Sequence, residues 1–97
     1  MTKYLINERV SKYLESRPAI NADIMEKLKK CLDENLFNTL RTCNKHELKG
    51  NCKGYWRLHL PHDYVVIYVI EGESPNRRAH ILKIMTNKVY HNWVKSC

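Results

Sequence analysis

From Tyr55 to Met85 the chain passes through three β-type segments separated by two turn signals, and this run restricts the fold more than any other part of the sequence. Tyr55 to Leu60 alternates, with Tyr55, Arg57 and His59 on one face and Trp56, Leu58 and Leu60 on the other. Pro61, His62 and Asp63 follow as a turn, because proline presets its own backbone angle and aspartate tolerates tight conformations. Tyr64 to Ile70 is β-branched and aromatic, apolar enough to lie centrally in a sheet. Glu71 to Asn76 contains Gly72 and Pro75 and reads as a second turn, after which Ala79 to Met85 gives a third strand.

The first half carries a helical period instead. Ile6, Val10, Tyr13 and Leu14 share one helical face, Asn7 is placed to cap it, and Pro18 ends it. Asn21 is the expected cap of a second helix, in which Ile24, Leu28, Cys31 and Leu32 recur at helical spacing with Met25 beside them. Lys27, Lys29 and Lys30 fall away from that apolar stripe. Val89, Tyr90, Trp93 and Val94 predict a short amphipathic C-terminal helix, and Lys3 to Leu5 allows one extra short strand. Together these elements predict an α+β fold. An N-terminal helical hairpin packs on one face of a twisted antiparallel sheet, and residues 1–97 form a single domain.

Charge narrows the partner. Seventeen Lys and Arg against ten Asp and Glu give a formal net charge of +7. Such an excess on a chain this small suits a polyanionic partner, with a surplus that only aids solubility as the other reading. No basic segment followed by a long apolar run opens the chain, and the apolar run Tyr64 to Ile70 is too short to span a bilayer. The expectation is a soluble, cytoplasmic protein with no membrane partner. Cys31, Cys43, Cys52 and Cys97 form no Cys-x-x-Cys pair, so reduced thiols are expected, with no zinc site and no cofactor.

The candidate chemistry lies between His46 and Tyr68. If Trp56, Leu58 and Leu60 pack on the helices, the opposite face presents Tyr55, Arg57 and His59. An aromatic ring can stack on a base, a guanidinium can hold a phosphate, and an imidazole can move a proton near neutral pH. Asp63 could orient a nearby imidazole and raise its pKa, and His46 enters from the preceding loop. Two imidazoles flanking a phosphodiester could act as general base and general acid. With a ribose 2′-hydroxyl as nucleophile, no metal is needed and the substrate is RNA. Lys45, Lys49 and Lys53 flank Gly50 and Gly54 in what reads as a mobile basic loop for phosphate backbone, or simply a solvated charged loop. His62 reads as a turn residue and His80 as a packed or edge histidine.

These residues carry a resemblance. His46-Glu47-Leu48-Lys49-Gly50, then Gly54-Tyr55, then Arg57-Leu58-His59, then Asp63-Tyr64 and Tyr68 resemble the RelE/ParE superfamily of toxin–antitoxin toxins, most closely its YafQ-like branch of mRNA interferases. The resemblance implies a RelE-like, microbial-ribonuclease-like fold, cleavage of mRNA in the ribosomal A site, and inhibition by a cognate antitoxin. It implies active-site roles for His46, His59 and Asp63, which Arg57 joins as a phosphate contact on the argument above. The chain departs from the branch at its C-terminal histidine. Tyr90 can stand for the aromatic that follows it, but Asn87 or Lys88 lies near the histidine's place and His91 comes after. Asparagine is no general acid or base, so either His91 is repositioned, or Lys88 substitutes, or catalysis is weak or lost. Tyr90 and Lys88 are the expected RNA contacts there, and the stretch from Trp93 to Cys97 is expected to cover part of the site. Two other readings stay open: a ParE-like poison of DNA gyrase, and a RelE-fold binding protein with weakened catalysis.

Overall fold

The computed structural model describes residues 4–34, 43–73 and 77–96. The elements run β1 (Tyr4–Ile6), α1 (Glu8–Glu15), α2 (Pro18–Leu28), β2 (Lys45–Glu47), β3 (Trp56–Leu60), β4 (Tyr64–Glu71), β5 (Arg78–Thr86) and α3 (Asn87–Lys95). The strands form one sheet in the order β1-β5-β4-β3-β2. This is the expected α+β arrangement, with the C-terminal helix in its expected place.

Several local choices follow from the sequence. The Asn7 side chain accepts the Arg9 backbone N–H at 2.9 Å and so caps α1. Val10 and Leu14 are the buried face of that helix. Pro18 does more than end α1. It is the first residue of α2, where its missing N–H costs nothing, so α2 begins before Asn21, the expected cap. After Leu28 the helix widens into a π-type turn over Lys29–Glu34, in which the consecutive Cys31 and Leu32 are both buried.

The sheet departs from the expected all-antiparallel order in one place. β1 runs parallel to β5, pairing Tyr4 with Ala79 and Ile6 with Ile81. No hairpin joins these two strands, so nothing in the chain imposes an antiparallel direction. A second difference is β2, which read as loop. It has only three residues, all charged or titratable, and the short charged edge strand leaves no hydrophobic alternation to detect.

The two faces of the sheet are covered differently. Leu58, Leu60, Val66, Tyr68, Ala79 and Ile81 pack against Val10 and Leu14 of α1 and Ile24 and Leu28 of α2. On the other face α3 lies over the sheet, and Leu48, Cys52, Val65, Ile67 and Tyr90 make a second, smaller core with Met85, Trp93 and Val94. The face expected to be open is therefore partly covered. The reason sits in β4, whose Val65 and Ile67 point away from the helical hairpin and need cover of their own.

The expectation of reduced thiols is also corrected. Cys31 and Cys43 form a disulfide, with Cα atoms 5.7 Å apart and twelve positions of sequence separation. Cys52 is disulfide-bonded as well. The π-type turn carries Cys31 to the start of β2, a proximity that cysteine spacing does not encode.

Candidate active site

The register of β2 on β3 sets the geometry of the site. His46 stands directly opposite Arg57, and His59 lies two positions further along β3 on the same face. Asn44, just ahead of β2, ties the two histidines together. Its side-chain Oδ1 accepts a hydrogen bond from His46 Nε2 at 2.9 Å, and its carbonyl accepts from the His59 backbone N–H at 3.5 Å. Because an amide oxygen only accepts, Nε2 is the donor of this pair and Nδ1 makes no part of it. Asn44 adopts φ 48°, a left-handed conformation that asparagine tolerates better than most residues. Sequence reasoning missed Asn44; an asparagine ahead of a histidine pair is too common a pattern to single out.

The turn after β3 fixes Asp63. His62 and Asp63 are consecutive left-handed residues at φ 62° and 64°. His62 Nε2 reaches Asp23 Oδ2 on α2 at 2.8 Å, which fastens the turn to the helical layer. His62, expected as a turn residue, is thus the turn's anchor. The held turn brings the Asp63 carboxylate close enough for its charge to act on His59.

Four influences hold the His59 pKa below its ordinary value of 6.5, and burial is the largest. Arg57, Lys27 and His46 push in the same direction, while Asp63 pulls the other way. The result is an imidazole that is neutral at neutral pH, the form a general base requires. Lys27 is another residue that sequence reasoning did not place here. It belongs to α2, away from the apolar stripe, and only the packing of α2 beside the β3 end makes it a neighbour.

Arg57 is half-buried, its guanidinium carbon 5.7 Å from the centre of the Tyr90 ring. Among the described residues no carboxylate lies within 4 Å of it, so its donors remain available to an anion.

The other expected contacts divide. Tyr55 is 37% exposed and meets the Trp93 ring edge-on at 6.2 Å, which leaves part of its ring accessible. Lys49 and Lys53 are exposed around the turn Gly50–Cys52, where they line a shallow depression of about 200 Å³ with Glu47, Leu48 and Gly50. Lys45 is different. It pairs with Leu58 and so lies on the helix-facing side, where its Nζ donates to the Cys31 carbonyl at 3.1 Å. That removes it from the His46 face and gives it a packing role. Tyr90 is only 6% exposed, its ring between Arg57 and Trp93, so it acts as the pin that holds α3 on the sheet rather than as a stacking platform.

Lys88 is exposed in the first turn of α3. His91 is exposed one position past Tyr90, about 100° further round the helix, and is not among the groups whose charges act on His59. His80 bonds Glu71 at 3.4 Å at the end of the β4–β5 ladder away from His59, as a packed histidine would. Among the described residues no three His, Cys, Asp or Glu side chains gather as a metal site, and no helix is long and apolar enough to cross a membrane.

No protein-family model matches the sequence, and no curated protein matches it. Solved structures do share its fold. The YoeB/ParE toxin from Agrobacterium tumefaciens superposes with a TM-score of 0.62 at 19% identity, covering 87% of this chain and 97% of that one. The conserved hypothetical protein HP0892 from Helicobacter pylori superposes with a TM-score of 0.57 at 15% identity, covering 91% of this chain and 97% of that one.

Proposed function

We propose that this chain, which has the RelE/ParE toxin fold, is the toxin of a type II toxin–antitoxin pair and cleaves mRNA on the ribosome, as the YafQ-like motif suggests. The observation that carries the reading is the His46–Arg57 cross-strand pair with His59 on the same face and Asp63 beside it. In the proposed reaction neutral His59 takes the proton of a ribose 2′-hydroxyl. The freed oxygen attacks the adjacent phosphorus, the bond from phosphorus to the 5′-oxygen breaks, and protonated His46 supplies a proton to that leaving oxygen. The products are a 2′,3′-cyclic phosphate and a 5′-hydroxyl. Arg57 stabilises the charge that builds on the phosphoryl oxygens. Asp63 orients His59, and exposed Lys49 and Lys53 hold the flanking backbone. Tyr55 offers a stacking edge, and Lys88 extends the basic surface at the start of α3.

The partners in this reading are the ribosome with mRNA in its A site and a cognate antitoxin. Action on ribosomes puts the chain in the cytoplasm, where thiol reductants compete with the Cys31–Cys43 bond. The test is primer extension on an mRNA translated in a bacterial cell-free system, run with and without reductant. Ribosome-dependent cuts inside codons, lost with His59→Ala, are the expected result. One observation favours a second reading. With α3 across the sheet and no histidine ahead of Tyr90, a ParE-like gyrase poison or a purely binding protein would need none of this chemistry. Continued translation with DNA damage signalling on expression would select that reading.

A further inference from the structure

The Cys31–Cys43 bond sits where the helical layer meets the β2 edge of the sheet. Cys31 belongs to the π-type turn after α2, and Cys43 lies two positions ahead of β2. β2 is fastened at both ends. Past its far end the Leu48 backbone N–H donates to the Tyr55 carbonyl at 2.8 Å. At its near end the disulfide and the Lys45 Nζ, which donates to the Cys31 carbonyl at 3.1 Å, both reach back to the same turn. The other tie there, from the His59 backbone N–H to the Asn44 carbonyl, is long at 3.5 Å. Asn44 in turn holds His46 through its side chain. Breaking the disulfide therefore loosens the near end of a three-residue edge strand that carries His46.

A cavity of about 280 Å³ opens beside this bond, between α2 and the turn after β3, and Cys31 is part of its wall. Cys43 is fully buried and does not line it, so Cys31 is the cysteine that an entering group meets. With Cys31 itself only 1% exposed, any reaction there is paced by fluctuations of the short β2 edge. The rest of the wall is Asp23, Glu26, Lys27, Lys30 and Pro61. Asp23 is engaged by His62 at 2.8 Å. Lys27 and Lys30 put positive charge beside Cys31, which favours a thiolate over a neutral thiol. The two ammonium groups suit carboxylates, and Glu26 suits an ammonium. A cavity of this size takes a small molecule rather than a folded partner.

We propose that Cys31 is a site of thiol exchange for a small thiol of the glutathione class, bearing two carboxylates and one ammonium, and that the exchange releases the β2 edge. The thiolate attacks Cys31 Sγ along the S–S axis. A new S–S bond forms to Cys31, and the Cys31–Cys43 bond breaks. Its electron pair leaves on Cys43 Sγ, which takes up the proton that the incoming thiol gave up. The step is an exchange and consumes no other oxidant or reductant. No part of it uses RNA, so the inference does not rest on the nuclease reading.

The test treats the oxidised chain with reduced glutathione, quenches with N-ethylmaleimide and maps the peptides by mass, which also separates this bond from that of Cys52. The expected product carries glutathione on Cys31 and maleimide on Cys43. Per thiolate, glutathione should react at least about threefold faster than cysteamine, a thiol bearing only an ammonium, a ratio in the range of exposed ion pairs. The Lys27→Gln, Lys30→Gln double variant, its fold checked by circular dichroism, should lose that preference. In the singly modified species the amides of residues 44–47 should exchange at least about tenfold faster, with residues 64–71 unchanged. Glutathione on Cys43 instead, no preference between the two thiols, a preference that survives in the variant, unchanged exchange across residues 44–47, equal acceleration across residues 64–71, or a chain isolated without reductant in which both thiols are free would each overturn the proposal.

Discussion

The Cys31–Cys43 bond joins the helical layer to the strand that carries His46, and its removal has a calculable cost. Both cysteines are buried, at 1% and 0% exposure, and twelve positions separate them in the chain. A crosslink of that span lowers the entropy of the unfolded chain by an amount worth about 3 kcal/mol at 25 °C. For a chain of 97 residues, each kcal/mol moves the midpoint of thermal unfolding by about 5 °C. The Cys31→Ala, Cys43→Ala double variant should therefore melt about 15 °C below the parent, and lost sulfur packing can only add to that. The bond also pins Asn44, one residue past Cys43, whose amide oxygen holds His46. His46 should consequently gain mobility in the variant while β4 and β5 keep theirs. Thermal circular dichroism in the absence of reductant gives the first number, and amide exchange across residues 44–47 against residues 64–71 gives the second. A midpoint shift below about 5 °C would show that this crosslink does not constrain the unfolded chain as reasoned.

Replacing Arg57 with Gln removes one of the influences that lower the His59 pKa, so that value should rise toward 6.5, with burial still holding it below; imidazole proton NMR across a pH titration reads it, and an unmoved pKa refutes the assignment. Because the folded value is depressed, the stability that neutral His59 contributes is complete above 6.5 and is lost as pH falls through the folded pKa. Urea melts in that window should show a shallower pH dependence for Arg57→Gln than for the parent. The Tyr68 hydroxyl is buried with no hydrogen-bond partner among the described residues, and burial pushes its pKa up; Tyr68→Phe should raise stability by about 1 kcal/mol in chemical denaturation, and a loss of that size would mean the hydroxyl is satisfied. Asn7→Ala should cost about 1 kcal/mol by removing the cap of α1, measured in the same way.

Period and turn chemistry determined much of this protein from the sequence alone. The alternation in Trp56–Leu60, the Pro61–Asp63 turn and the apolar run of β4 required adjacent antiparallel strands, and the helical stripes of α1 and α2 required a layer on one side of them. The same alternation places Arg57 and His59 on one face, because side-chain direction along a strand is a local property. Only tertiary structure decided what meets across the chain. β2 was too short and too charged to declare itself, so the His46–Arg57 pairing came from register. Lys27 joined the surroundings of His59 through helix packing, and Lys45 left the site because its position in β2 points it at Cys31. Tyr90 changed role because Val65 and Ile67 needed a cover that α3 provides. The disulfide and the parallel β1 arise from contacts between segments that are not neighbours in sequence, which no local pattern of residues specifies.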